Sequence, residues 1–181
     1  MRARDSGGGR RGGVSGRSAG AVFLLVAAIG SALAGPGLAA GGRVNLLRTL
    51  APQIAKARTG KVAVLLPASI RNDVAHRLYG SATVSANGYD IQLAYAPGCH
   101  DATACFFADF QAGPGKLTFR TRVALAHAVS GAFQDISCGA SCAPASIEWR
   151  EGGVLYGVQY VLGGRAAMIA LANSAIDAGP R

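Results

Sequence analysis

The stretch Tyr79-Gly-Ser-Ala-Thr-Val-Ser-Ala-Asn87-Gly88-Tyr89-Asp-Ile-Gln-Leu-Ala-Tyr-Ala96 decides the class of fold. Two runs rich in β-forming residues flank Asn87-Gly88, and this dipeptide favours a hairpin because a type I′ turn needs positive φ at both central residues. In the second run, apolar side chains alternate with polar or small ones, which predicts one buried face. The apolar members are Tyr89, Ile91, Leu93 and Tyr95.

Further β-strands are predicted on both sides of this hairpin. Single strands are expected at Lys61–Pro67 and Cys105–Gln111. The alternating stretch Phe119–Leu125 and the run Gly131–Ile136 are expected to form a strand pair with its turn near His127-Ala128. A second hairpin is predicted around Gly152-Gly153, with arms at 147–151 and 154–161.

Two amphipathic helices are predicted at the ends of this strand-rich region. Residues 41–60 carry apolar residues at helical spacing, and Pro52 either begins that helix or kinks it. Met168, Ala172 and Ile176 mark one face of a closing helix that Gly179-Pro180 ends. The expected fold is therefore α+β, a single antiparallel β-sheet with an N-terminal and a C-terminal helix packed on it.

Residues 1–40 have the layout of a secretory signal peptide. A basic, Gly-rich stretch precedes the uncharged apolar run Ala21–Ala34, and small residues follow. The run is shorter than the roughly 20 residues of a membrane-spanning helix. We expect cleavage near Ala39 or Ala40 and a periplasmic or secreted protein, with an uncleaved anchor as the alternative. The expected organisation is a signal peptide at 1–40, a basic helix at 41–60 and one α+β domain at 61–181.

The composition excludes several classes of protein. With 50% hydrophobic and 15% charged residues, the 181-residue chain is not disordered throughout, and it contains no collagen, heptad or solenoid repeat. Residues 1–40 hold five of the 18 basic residues and one of the nine acidic ones, so their removal lowers the net charge from +9 to +5. Much of the positive charge therefore belongs to the leader, and no nucleic-acid partner is expected.

The four cysteines, Cys99, Cys105, Cys138 and Cys142, are predicted to form disulfides. Four cysteines allow three pairings, and closeness in sequence favours Cys99–Cys105 with Cys138–Cys142. A four-cysteine zinc site is the alternative, although the C-x5-C and C-x3-C spacings differ from those of common zinc sites.

Four motifs in the C-terminal half support a resemblance to other proteins. They are Cys138-Gly-Ala-Ser-Cys142, Ile147-Glu-Trp149, Gly153-Val-Leu-Tyr156 and Leu171-Ala-Asn173-Ser174. Together they resemble a family of small exported bacterial proteins of unknown function and, more loosely, PsbP-like sheet-plus-helix domains. The resemblance implies export and an α+β fold, and it carries over no catalytic residue.

Several side chains are candidates for binding. Arg43, Arg48, Lys56, Arg58 and Lys61 lie in an acid-free stretch that is either a surface for anionic envelope polymers or a solvated helix face. Trp149 and Tyr156 form either a stacking platform for sugar or part of the core. The mature chain has no H-E-x-x-H, P-loop or G-x-G-x-x-G motif, so we predict no catalytic residue, metal or cofactor.

The sequence predicts a non-catalytic envelope protein with a binding or interaction domain. An anionic envelope surface or another envelope protein is the expected partner. The alternative is a hydrolase acting on a cell-wall or sugar polymer. Such an enzyme would need the fold to bring Glu148 or Glu151 to another carboxylate, such as Asp90 or Asp109.

Overall fold

Eleven β-strands occur in the computed structural model, which describes residues 42–74, 76–99 and 102–181. The predicted signal peptide lies outside these residues. In chain order the strands are β1 (Gly42–Asn45), β2 (Ser69–Asn72), β3 (Tyr79–Ser85), β4 (Gly88–Ala94), β5 (Phe106–Gly113), β6 (Thr121–Ala124), β7 (Ser130–Gln134), β8 (Ser137–Cys138), β9 (Cys142–Ala143), β10 (Ala145–Glu151) and β11 (Val154–Tyr160).

Seven of these strands form one antiparallel sheet in the order β3-β4-β5-β11-β10-β7-β6. The remaining four form two small ribbons, β1 with β2 and β8 with β9. Three helices accompany the strands: α1 (Leu46–Thr49), α2 (Ala51–Ala57) and α3 (Arg165–Ala178). Helix α2 packs on β3 and β4, while α3 packs on β10 and β11. The predicted α+β architecture is confirmed.

One face of the large sheet is apolar and carries the core. The helices pack on this apolar face. According to the strand register, the side chains on it are Ala82, Val84, Tyr89, Ile91, Leu93, Ala108, Phe110, Ala112, Val123, Phe133, Ala145, Ile147, Trp149, Tyr156, Val158 and Tyr160. Leu46, Leu50 and Met168 reach this core from the helices. The closing helix and the Trp149 hairpin therefore share one core.

The N-terminal region differs in detail from the predicted helix. Residues 42–45 form β1, and the Asn45 side chain then accepts a hydrogen bond from the Arg48 N–H at 2.9 Å, which caps α1. Leu50 separates this single turn from α2, which has Pro52 in its first turn. Of the two arrangements expected for Pro52, the structure has the helix that begins there, where the missing N–H is tolerated.

The prediction of a strand at Lys61–Pro67 is wrong. These residues, here called the crossing segment, form an irregular stretch on the apolar face of the sheet. The Leu65 N–H donates to the Tyr89 hydroxyl at 3.0 Å, and that hydroxyl donates back to the Leu65 carbonyl at 3.2 Å. The Tyr156 hydroxyl donates to the Ala63 carbonyl. Tyrosine hydroxyls thus satisfy backbone groups that a neighbouring strand would otherwise pair.

The C-terminal residue also holds the crossing segment. The backbone N–H of Arg181 donates to the Val64 carbonyl at 2.9 Å, and its guanidinium donates to the Leu66 carbonyl at 3.3 Å. Val64, Leu65 and Leu66 are buried. The segment can therefore be apolar and buried without belonging to the sheet.

The first hairpin is confirmed, but its turn lies one residue earlier than predicted. Ser85 pairs with Gly88, so Ala86 and Asn87 form the loop, and neither Asn87 nor Gly88 has a positive φ. A Cβ at Gly88 would lie 2.4 Å from the Ala112 carbonyl oxygen on β5. Glycine is required here because the neighbouring strand is close, and not because of turn conformation.

Positive φ angles occur instead at His127-Ala128, in the turn between β6 and β7. Their φ values are 53° and 60°, the pattern of a type I′ turn. A non-glycine residue in this left-handed backbone conformation lowers the stability of the fold by about 1–2 kcal/mol. Helix α3 holds the turn: Asn173 accepts from the Ala126 N–H at 2.7 Å, and Asp177 contacts His127 Nε2 at 3.0 Å.

Both predicted disulfides are present, Cys99–Cys105 and Cys138–Cys142. Their formation uses all four cysteines, so the zinc alternative has no thiolate ligands left. Within the described ranges, no helix is long and apolar enough to span a membrane.

The paired hydrogen bonds between Tyr89 and Leu65 predict a selective loss of stability. Burial raises the pKa of the Tyr89 hydroxyl, so it keeps the proton that it donates. Tyr89→Phe leaves the buried Leu65 N–H and carbonyl unpaired, which should lower the free energy of unfolding by about 1–3 kcal/mol in urea titrations.

Tyr95→Phe is the matched control for this measurement. The Tyr95 hydroxyl has no hydrogen-bond partner in the described part of the chain, so this variant should change stability by no more than about 0.5 kcal/mol. Equal losses in the two variants would contradict the role assigned to Tyr89.

Candidate functional site

The second face of the large sheet, here called the open face, is polar at its centre. The strand register aligns two rows of side chains across it. One row is Thr83, Asp90, Gln111, Gly157 and Glu148. The other is Ser81, Gln92, Asp109, Gln159, Ser146 and Gln134.

Two adjoining cavities lie over these rows, with volumes of about 320 and 190 Å³. Both are lined by Asp90 and Gln111, so they adjoin at these two side chains. We call the two cavities together the sheet groove. Its polar floor consists of Asp90, Gln92, Asp109, Gln111 and Gln159.

The walls of the groove come from strand residues and adjoining loop residues on either side of the polar floor. At one end stand Thr103 and Phe106, beside the Cys99–Cys105 disulfide, and Cys142 with Pro144 from the other disulfide-closed ribbon. At the opposite end, the walls are formed by Gly113, Pro114, Glu148 and Leu155. Both disulfides therefore stabilise chain that borders the same end of the groove.

Two polar side chains of the floor are almost entirely buried. Gln92 is 8% exposed and Asp109 is 7% exposed. The side chain of Gln92 has no hydrogen-bond partner among residues 42–74, 76–99 and 102–181. Its amide is not among the polar groups that are buried without a partner, so it is accessible from the cavity and available to pair with a ligand.

A glycine shapes the middle of the floor. Gly157 lies directly between Gln111 and Glu148 in its row. A Cβ at this position would lie 3.0 Å from Cγ and 3.1 Å from Nε2 of Gln111. The absence of a side chain lets Gln111 lie along the floor and leaves the cavity open above it.

Glu148 positions a wall of the groove. One carboxylate oxygen accepts from the Thr118 N–H and the other from the Thr118 hydroxyl, each at 2.8 Å. Hydrogen bonds to a carboxylate are stronger than neutral ones. The carboxylate thus fixes the loop that follows β5, with one hydrogen bond accepted by each of its oxygens.

Glu151, the second acidic residue beside Trp149, is not brought to the groove. It pairs with Val154 at the end of β10, two positions after Trp149, and so lies on the apolar side of the sheet. Asp90 and Asp109 do share the groove and occupy diagonal positions on β4 and β5.

The five basic candidates lie away from the groove. Arg43, Arg48, Lys56, Arg58 and Lys61 are all exposed, on β1, the two N-terminal helices and the chain that follows them. Three of them donate hydrogen bonds: Arg43 to Ser69 Oγ, Lys56 to the Ala82 carbonyl and Arg58 to the backbone oxygen of Arg181. Contact with an anionic surface stays a prediction.

The sugar-stacking alternative for Trp149 and Tyr156 is corrected by the structure. The two rings stack on each other, with centroids 5.6 Å apart and an interplanar angle of 18°. Trp149 is 1% exposed and Tyr156 is 4% exposed, so neither ring is available to a ligand. Both belong to the core, which was the other interpretation of the pair.

The amides of the groove were not predicted as site residues. Alternation along β4 placed Asp90 and Gln92 on the polar side, but Gln111 and Gln159 join them only through the register of three strands. In the described residues, no group of three or more His, Cys, Asp or Glu side chains has a metal-binding arrangement. Comparison with protein-family models, curated proteins and solved structures gives no match to this chain.

Proposed function

We propose that this protein is an exported, non-catalytic envelope protein that binds its ligand in the sheet groove. The observation that carries the proposal is the polar floor of a cavity of about 320 Å³, in which the Gln92 amide forms no hydrogen bond within the described chain and is accessible from the cavity. Polar groups that lie within folded proteins are usually hydrogen-bonded. A ligand that pairs with Gln92 explains why a polar side chain is retained there.

The rigidity of the groove supports binding. Its floor is formed by β4, β5 and β11, three central strands of the sheet. Two disulfides restrain the chain at one end, and the Glu148–Thr118 hydrogen bonds restrain the other. A site that is already ordered loses little conformational entropy when the ligand binds.

Export is part of the same proposal. The two disulfides are compatible with folding in an oxidising compartment, and the basic–apolar–small order of residues 1–40 is that of a signal peptide. The resemblance to small exported bacterial proteins points the same way.

The mass of the protein recovered from the envelope tests export. We expect a mature N-terminus directly after Ala39 or Ala40. An intact Met1 in protein isolated from the cytoplasm would contradict the proposal.

The basic residues give the protein a second surface for contact. They lie on elements that cover the apolar side of the sheet, whereas the groove is on the opposite side. Contact with an anionic polymer would therefore leave the groove accessible. Such a contact should weaken with salt, because exposed charges are screened over about 8–10 Å at physiological ionic strength.

Binding to an isolated envelope fraction tests the groove. Gln92→Leu removes the unpaired amide at similar volume, and we expect it to reduce the bound fraction about tenfold, as the loss of about 1.4 kcal/mol predicts. The assay is run at low and high salt, so that association through the basic residues is separated from binding in the groove.

Gln134→Leu is the matched control, because Gln134 lies on the same face and in the same row but does not line either cavity. It should bind like the unmodified protein. Equal binding by both variants at high salt would show that the groove is not the binding site.

One observation favours the hydrolase as a second candidate. Asp90 and Asp109 line the same cavity and occupy diagonal positions on neighbouring strands, whose backbone positions are about 7–8 Å apart. Inverting glycosidases also use a pair of carboxyl groups, which are about 6.5–9.5 Å apart. Release of sugar from a wall polymer that is abolished by Asp90→Asn would replace the binding proposal with this one.

A further inference from the structure

We infer that the ligand of the sheet groove is a neutral, hydroxyl-rich carbohydrate longer than one sugar ring. This inference rests on the proposed function and adds the chemical class of the ligand. It follows from the hydrogen-bonding groups of the floor, the charge of the lining residues and the shape of the cavity.

The floor presents donors and acceptors side by side. Gln92, Gln111 and Gln159 each carry amide N–H donors and a carbonyl acceptor, whereas Asp90 and Asp109 offer acceptors when ionised. In the register, Asp109 lies between Gln92 and Gln159, and Asp90 lies opposite Gln111. Every carboxylate therefore has an amide beside it.

Hydroxyl groups match this arrangement better than ions do. A hydroxyl both donates and accepts, so it pairs with an amide and with a carboxylate at once. An ammonium group only donates, so it cannot pair with the amide N–H donors of Gln92, Gln111 and Gln159. A ligand that covers those donors without accepting from them has a free-energy cost.

Charge opposes an anionic ligand in the groove. No Lys or Arg is found among the described side chains that line the two cavities, whereas Asp90 and Asp109 are. A phosphate or carboxylate would lose its hydration and meet like charge, which is unfavourable in a partly enclosed site. The five basic candidates lie on the other side of the sheet, and the two arginines that the register places on the open face, Arg122 and Arg150, line neither cavity.

The groove is elongated along the strands. Its floor on β11 runs from Gln159 through Gly157 to Leu155. The four steps along the strand from Gln159 to Leu155 span about 13 Å, since each advances about 3.3 Å. This length exceeds one pyranose ring and suits a short oligosaccharide.

Apolar side chains border the polar floor. Phe106 and Pro144 stand at the disulfide end, and Pro114 and Leu155 stand at the other. A sugar has C–H groups on its ring faces as well as hydroxyls at its rim. Ring faces can pack on these four residues while the hydroxyls pair with the floor.

Calorimetric titration of the mature protein tests the inference with four defined probes. These are the N-acetylglucosamine trimer and the glucose β-1,4 trimer, which are neutral, the glucosamine trimer, which is cationic, and inorganic phosphate. We expect saturable binding of at least one neutral trimer, little affected by salt, and at least about tenfold weaker binding of its monosaccharide. Phosphate should not bind in the groove.

Variants assign the binding to the groove. Gln92→Leu should weaken binding of the neutral trimer about tenfold, and the Gln134→Leu control should leave it unchanged. Because Gln92→Leu places an apolar side chain in a buried position, urea denaturation of both variants checks that they are folded. Amide chemical-shift changes at Phe106 and Gln111 in the unmodified protein give the same assignment without a substitution.

The outcomes separate this inference from the proposed function. Binding of the cationic trimer or of phosphate in the groove, without binding of a neutral trimer, overturns the carbohydrate inference and leaves a binding groove. Failure of every probe, with envelope binding still dependent on Gln92, also overturns the inference alone. If no probe binds and Gln92→Leu does not change binding to the envelope fraction, both the carbohydrate inference and the proposed function are overturned.

Discussion

The fold depends on covering one apolar face of a single seven-stranded sheet. A sheet alone leaves that face in water, so other parts of the chain must pack on it. The two N-terminal helices, α3 and the crossing segment do so. Two tyrosines of the sheet hydrogen-bond to the crossing segment. The Tyr89 hydroxyl pairs with the Leu65 backbone, and the Tyr156 hydroxyl donates to the Ala63 carbonyl, so these bonds attach the segment to the sheet.

Because the helices and the crossing segment of the described chain pack on one side of the sheet, the other face is left for function. Side chains alternate along each strand, so the residues between the core positions point to the open face. At the centre they are Asp90, Gln92, Asp109, Gln111 and Gln159, enclosed by two disulfide-restrained loops and by the loop that Glu148 holds. Stability and binding are thereby assigned to opposite faces of the same strands.

Alternation and turn residues predicted much of this fold. They identified both hairpins, the Phe119–Leu125 and Gly131–Ile136 pair, and helix α3. They misassigned Lys61–Pro67, because an apolar run looks the same whether its backbone pairs with a strand or with a hydroxyl such as that of Tyr89. The role of Gly88 was also missed, since its close neighbour Ala112 is distant in sequence. The groove escaped prediction for the same reason: its amides meet only through strand register.

Hydrogen–deuterium exchange of the mature protein, free and with an envelope fraction at high salt, tests the account most directly. Binding in the groove predicts slower exchange in peptides that cover 102–106, 113–118 and 142–144, which border it. Peptides from 42–61, which carry the basic residues, should exchange at the same rate in both samples. Slower exchange confined to 42–61, with no change around the groove, would contradict the claim that the open face binds the ligand.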